Sequence, residues 1–281
     1  MTLPSTPSPS TSPSLPSGLA PTGSASPLTD SPPLKGRPIR SFVLRTGRTT
    51  VGQAKALEDM GPQYILPYQP SAMNLEAARA IVQLASGLND AQSTQSTPPS
   101  ITQTIFEIGF GMGEATAHIA KLMPHALYIG CEVHPPGVGA LLKRIGDEHI
   151  RNIRIIQHDA VEVLTHMLPP ASLDGVHIFF PDPWHKKRHN KRRLIQSPLT
   201  GLLASRIKPG GYIHCATDWQ HYAEQILQVL TDEPSLVNTA TGADGYAVKP
   251  DYRPLTKFEN RGIKLGHGVW DLVFRRHTMQ S

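Results

Sequence analysis

Residues 181–193 bring one carboxylate, one indole and six cations (Lys186, Lys187, Arg188, Lys191, Arg192 and Arg193) together, directly after the apolar run Val176–Phe180. Asp182 lies between Pro181 and Pro183, whose rings fix the local backbone and aim its carboxylate with little freedom. Trp184 offers a face on which a nucleobase or an adenine ring could stack. The cations suit a polyanion, because neutralising phosphates with Lys and Arg supplies most of the affinity for nucleic acid. A basic run alone reads equally well as a solvated surface or a localisation signal. Its placement behind Asp182 favours chemistry on a nucleic acid.

A second set of residues suits a cofactor. Gly109, Gly111 and Gly113 alternate in the stretch Glu107–Glu114, so the backbone can turn tightly and let a ligand approach. A dinucleotide fingerprint would place its third glycine at 114, where this chain has Glu114. A negative charge there opposes a pyrophosphate at the helix N-terminus. The loop therefore suits a cofactor without phosphates. S-adenosylmethionine fits, since acids such as Glu107 would welcome its ammonium and sulfonium cations. Glu132 stands at about the separation from the loop at which an acid grips a ribose diol. Asp159 reads two ways, as an acceptor for an adenine amino group or as a helix N-cap.

Beside a methyl donor, Asp182 could deprotonate a nucleophile or hold and orient one. Guanine N7 needs no deprotonation, and its methylation creates a cation that a carboxylate stabilises. Methylation of an exocyclic amine on RNA or DNA is the alternative enzyme reading, weakened because such sites favour an Asp-Pro-Pro-Tyr type motif. A catalytically silent RNA-binding subunit is the alternative of another class, opposed by the intact glycine loop and acids. His185, His189, His214 and His267 lack metal-ligand spacing and read as surface or phosphate contacts, so no metal is expected. Asp218 either caps the helix that follows it or faces the substrate base. Thr256 to Glu259 has the pattern of a capping box.

These residues need a scaffold that gathers them. From Gln103 onward, strand-like runs alternate with helical ones. Strands are expected at Thr104–Ile108, Ala126–Cys131, Ile153–Gln157, Val176–Phe180, Tyr212–Cys215, Leu236–Thr239 and Val269–Phe274. Helices are expected at Glu114–Leu122, Val138–Glu148, Ala160–Met167, Leu199–Ile207, Gln220–Leu230 and near Thr256–Lys264. Such alternation implies an α/β, doubly wound, mostly parallel seven-stranded sheet with helices on both faces. Ligands bind outside the carboxyl ends of such strands. Glu107, the glycines, Glu132, Asp159, Asp182 and Asp218 all fall at or just beyond a strand end, so they should share one rim.

The formal net charge is +5, and the first 34 residues contribute only Asp30, so the positive charge belongs to the remainder. Residues 1–36 are dominated by Ser, Pro and Thr and read as a disordered tail ahead of one domain at 37–281. A second low-complexity patch, near Asn89–Ser100, reads as a linker or surface loop. Cys131 and Cys215 read as reduced thiols in buried strands of a cytoplasmic protein. No apolar run approaches the length needed to span a bilayer.

The motifs together resemble the bacterial tRNA (guanine-N7-)-methyltransferases. The resemblance runs from about Arg37 to Arg276, on Ile39–Gly47, Glu107–Gly113, Glu132–Gly139, Pro181–Arg193, Ala216–Trp219, Thr256–Glu259 and Arg261–Trp270. It implies a Rossmann-like methyltransferase fold and transfer of methyl from S-adenosylmethionine to guanosine N7 in tRNA, usually at position 46 of the variable loop. It further implies that Glu107, Glu132, Asp159 and Asp182 contact the cofactor, with Asp182 also catalytic. Lys186, Asp218, Thr256, Lys257, Phe258 and Glu259 match substrate-contacting positions. Arg188, His189, Asn190, Lys191, Arg192 and Arg193 match the segment that contacts RNA. No obligate protein partner is expected, and the enzyme should be a monomer or weak homodimer.

Overall fold

The computed structural model describes residues 41–42, 47–87, 100–256, 259–260, 266 and 268–278. The proposed tail and most of the 89–100 patch lie outside them. Seven strands form one sheet: β1 (Gln103–Ile108), β2 (Ala126–Cys131), β3 (Ile153–Ile156), β4 (Leu173–Phe179), β5 (Ile207–Thr217), β6 (Leu236–Asn238) and β7 (Trp270–Arg276). Their order is β3-β2-β1-β4-β5-β7-β6. Strands β1 to β5 run parallel, and β7 pairs antiparallel with both β5 and β6. The chain winds outward from β1 to β3, then crosses back to β4 and winds the other way. The crevice of a doubly wound sheet opens at that reversal, beyond the carboxyl ends of β1 and β4.

Helices α3 (Glu114–Leu122), α4 (Pro135–Asp147), α5 (Ala160–Glu162), α6 (Leu199–Arg206) and α7 (Gln220–Thr231) make the connections. The sheet is expected from the sequence, and its ends shift for identifiable reasons. Helix α4 starts at Pro135, before Val138, because proline suits the first helical turn. The α5 segment continues from Val163 to Met167 as a π-helical turn. Near Thr256, only Glu259 and Asn260 are helical among the described residues.

Two helices precede the sheet, α1 (Val51–Tyr64) and α2 (Leu75–Gly87), and the strand–helix alternation that begins at Gln103 does not reach them. Gly52, Gly61 and Pro62 weaken the helical signal of α1. Tertiary packing supports it instead: a Cβ on Gly139 of α4 would stand 2.9 Å from the Gln53 carbonyl oxygen, so only glycine permits this approach. Thr50 and Gln53 close a capping box at its start.

One face of the sheet is covered by α2, α5, α6 and α7 over an apolar layer that includes Phe106, Ile129, Val176, Ile213 and Phe274. Among the described residues, the opposite face is covered by α1, α3 and α4, chiefly over β1 to β3. Over β4, β5 and β7 the strand period of two sends His177, Tyr212, His214 and Asp271 to that face. Tyr252 and Arg253 close over them, giving a buried polar layer. His214 is therefore fully buried and hydrogen-bonded to Asp271, a correction to the surface or phosphate role expected of it. Cys131 and Cys215 are buried free thiols, as read from their strands.

Candidate active site

A cavity of about 370 Å³ opens at the carboxyl ends of β1 and β4. Its size suits a small-molecule ligand. Gly109, Gly111, Glu132, Asp159, Phe180 and Asp182 line it, with Ser41 and Phe42 from the N-terminal side. The topology thus gathers three of the four expected cofactor acids around one space.

The glycine loop has the shape its sequence requires. Gly109, Gly111 and Gly113 all lie at left-handed φ, between 56° and 74°. A Cβ at Gly109 or Gly111 would meet no atom within 4 Å, so this side of the loop faces open space. At Gly113, the N-cap of α3, a Cβ would collide with Leu141 at 2.7 Å. The loop is therefore packed behind and clear in front.

Glu132 secures the loop as well as lining the cavity. Its Oε2 accepts from the Gly111 amide at 2.9 Å, and its Oε1 accepts from Val133 and His134 at 2.7 and 3.0 Å. Asp159 is the N-cap of α5, with Oδ1 accepting from Val161 at 2.9 Å, and it also lines the cavity. Its neighbour His158 is stacked on Tyr68 at 3.7 Å between ring centroids and bonds Glu162.

Glu107 departs from expectation. It does not line the cavity wall; its carboxylate is 2% exposed and accepts a 2.8 Å hydrogen bond from the Tyr128 hydroxyl. Register explains this: Glu107 lies opposite Gly130, and Tyr128 two residues back on the same face reaches across. Burial raises its pKa from 4.5 to about 7, with the Glu132 charge adding to the rise and the Tyr128 hydrogen bond opposing it. Glu107 is a buried acid beneath the loop, on the verge of ionisation at neutral pH.

Asp182 is exposed at the cavity rim, and strained backbone puts it there. Phe180 and Trp184, which flank the Pro181–Pro183 turn, have φ values of 49° and 46°, unusual for aromatic residues. Such strain persists only where surroundings enforce it, and it clusters at functional sites. The Phe180 amide is tied to the Ala216 carbonyl at 2.7 Å. Trp184 does not line the cavity: its indole donates to the Ser41 carbonyl at 3.2 Å and packs under Arg192 and beside His189.

The basic stretch forms a 3-10 helix at Lys187–Arg192. Lys186, Lys187, Arg188, Lys191 and Arg192 are exposed, while His189 and Asn190 are half-buried. Arg193 corrects the sequence reading, since it is only 1% exposed. Its Nε donates to the Pro183 carbonyl at 2.8 Å, its Nη1 donates to Gln225 at 2.6 Å, and the group lies over Tyr222. Arg193 pins the Asp182 turn to α7 and cannot reach RNA from there.

Asp218 follows β5 half-buried, and the N-cap of α7 is Trp219, with no side-chain cap hydrogen bond, so the capping alternative for Asp218 fails. Thr256 and Glu259 make the capping box: the Glu259 amide donates to Thr256 Oγ1 at 3.1 Å. The Glu259 carboxylate is buried against Arg253, which corrects its expected role as a direct substrate contact. Lys257 and Phe258 lie outside the described residues, as does His267.

Sequence reasoning also missed Ser41, Phe42 and Phe180 as cavity walls. Ser41 and Phe42 lay within a segment already noted for its resemblance; nothing in the spacing assigned them a side of the cavity. Around the cavity, acids outnumber cations, whereas cations dominate the adjoining loop. That division suits a cationic small molecule inside and a polyanion outside.

A family profile described as "Putative methyltransferase" matches residues 102–272. The tRNA (guanine-N(7)-)-methyltransferase of Albidiferax ferrireducens is 69% identical over 242 residues, covering 85% of this chain and 96% of that protein. Proteins of the same name from Paracidovorax citrulli and Cupriavidus necator are 61% and 58% identical to this chain. Those two matches span 92% and 86% of this chain, and 94% and 85% of the proteins themselves.

Proposed function

Given that this chain belongs to the bacterial tRNA (guanine-N(7)-)-methyltransferase family, we propose that it transfers a methyl group from S-adenosylmethionine to N7 of a guanosine in tRNA. The target is position 46, in the variable loop. The observation that carries this reading is the placement of Asp182 on a strained turn, between an acid-lined cavity and a cationic helical turn. The direct test is incubation with labelled methyl donor and unmodified tRNA transcript, followed by chemical cleavage at N7-methylguanosine. A single cleavage at position 46 is expected. Label on an exocyclic amine, or none on tRNA, would overturn the assignment.

The cavity fits the cofactor on its own chemistry. The open face of the glycine loop admits a ligand against the backbone, and Glu132 and Asp159 offer acceptors for ribose hydroxyls and an adenine amino group. When bound, S-adenosylmethionine supplies an electrophilic methyl. Glu107 and Asp182 add negative potential for a cationic ligand. Asp182 faces outward and holds the guanine, with its charge opposing the positive charge that develops on the purine. Lys186 and Asp218 complete the substrate side, together with Thr256, Lys257 and Phe258. Positioning carries much of the rate, because N7 already presents a lone pair.

Arg188, His189, Asn190, Lys191 and Arg192 grip the surrounding phosphates. Replacing Lys191 and Arg192 with glutamine should weaken tRNA binding. It should also flatten the dependence of log K on log salt by roughly 0.7–0.9 for each phosphate no longer neutralised. Filter binding across a salt series checks this, and an unchanged slope would remove the pair from the interface. Arg193→Ala should instead lower thermal stability, because it frees the Pro183 carbonyl and takes the Arg193 donor away from the Gln225 side-chain oxygen.

Removing residues 1–36 should leave turnover on tRNA within about twofold of the full chain, because so Ser-, Pro- and Thr-rich a composition offers too little apolar surface to offset the entropy of ordering. A tenfold loss would assign the tail a part in catalysis or RNA capture. Among the described residues, no helix is long and apolar enough to cross a membrane. We place the enzyme in the cytoplasm as a monomer or weak homodimer, acting without an obligate protein partner and without a metal.

A further inference from the structure

Arg253 lies outside every motif singled out in the sequence, yet it holds a well-connected buried position. It is 1% exposed, on the segment between β6 and β7. Asp271 of β7 grips its guanidinium on one side, with Nε to Oδ1 at 2.6 Å and Nη2 to Oδ2 at 2.7 Å. Glu259 grips it on the other, with Nη1 to Oε2 at 2.8 Å and Nη2 to Oε1 at 2.9 Å. Two two-point pairs on one guanidinium fix its plane as well as its place. The same group lies 5.6 Å from the ring centroid of Phe180.

Each neighbour leads to a different part of the site. Asp271 is anchored in β7, which is paired on both sides, and it accepts a further hydrogen bond from His214 at 2.7 Å. Glu259 belongs to the capping box that starts at Thr256. Phe180 begins the strained turn that carries Asp182 and itself lines the cavity. Arg253 therefore joins the rigid sheet to both segments assigned above to the substrate.

Cohesion alone is a weak reason for such a cluster. Two carboxylates face one guanidinium, and burial pushes the pKa of the neighbouring His214 below its ordinary value. Apolar side chains of similar volume commonly hold such a place as well as a buried ion cluster does. A forked cation between two carboxylates supplies what apolar packing does not, namely a fixed angle and distance.

We propose that Arg253 is a positioning residue for methyl transfer, fixed to β7 by Asp271 and setting the Thr256–Glu259 helix start against the Phe180–Asp182 turn. The inference rests on the methyltransferase reading above, since those two segments meet at the guanosine only if that reading holds.

Arg253→Lys is the primary test, because lysine keeps the charge but cannot bridge two carboxylates in one plane. Wild type and variant are compared in the full chain by thermal melting, S-adenosylmethionine titration and single-turnover methylation of unmodified tRNA. The melting temperature should stay within a few degrees, and cofactor Kd and tRNA KM within about threefold, while the single-turnover rate falls at least tenfold. Glu259→Gln cuts the tie from the other side. If positioning runs through the pair, the double variant is no slower than the worse single one. A folded lysine variant with an unchanged rate would overturn the proposal. So would a rate loss matched by equal losses in stability and cofactor affinity, which is the mark of a purely structural role. Should the lysine variant not fold, Glu259→Gln decides alone by the same criteria. Failure of the wild-type protein to methylate tRNA would instead sink the functional reading, and that control separates the two.

Discussion

Asp182→Asn is expected to slow methyl transfer by about 10²–10³-fold at saturating cofactor, the usual loss when one preorganised electrostatic group is removed. Asparagine keeps the size and the turn between Pro181 and Pro183, so the strained backbone at Phe180 and Trp184 should persist. What goes is the charge opposing the cation formed at N7. Cofactor affinity should drop several-fold, because Asp182 lines the cavity wall. The tRNA KM should barely move, because the phosphate-gripping cations are untouched. Single-turnover assays at saturating donor isolate the chemical step. A rate within threefold of wild type would remove Asp182 from the mechanism, whatever its place on the rim.

The part of this site legible in sequence is the part dictated by periodicity. Alternating strands and helices place residues after each strand on one rim, so Glu132, Asp159 and Asp182 could be grouped from the sequence alone. Which way a side chain turns from the rim is decided by tertiary neighbours. Glu107 turns inward because Tyr128 faces it across the register, and Glu259 because Arg253 waits beneath. Arg193 looks like its basic neighbours in sequence, but the carbonyl of Pro183 and the α7 residue Gln225 draw it inside. The alternation of His177 and His214 with Ile178 and Ile213 was visible as a strand pattern. That the buried polar groups His177, His214 and Asp271 satisfy one another and their neighbours there was not. The helices α1 and α2 escaped because Gly and Pro blur one of them and both precede the regular alternation.

Glu107→Gln should produce a protein that is more stable at pH 8 and worse at its job. The folded chain holds the Glu107 proton up to about pH 7, whereas an unfolded chain releases it near 4.5. Between those values the native state binds more protons than the unfolded one, so stability falls as pH rises through this window and levels off above it. The shift of about 2.5 units (about 7 less 4.5) corresponds to roughly 3 kcal/mol. Glutamine matches the protonated acid in shape and still accepts from Tyr128. Wild type and variant should therefore melt together near pH 5 and diverge by roughly 5–10 °C at pH 8, the variant higher. Cofactor affinity should move oppositely, with the largest deficit at pH 8, where wild type presents a carboxylate beneath the loop to a cationic ligand. Melting curves and cofactor titrations at pH 5.5, 7 and 8 test both arms. A stability difference that ignores pH would mean that Glu107 does not titrate in this window. Divergence in melting without any change in cofactor affinity would leave the buried charge as a cost without a function, contrary to the usual trade of stability for activity at such sites.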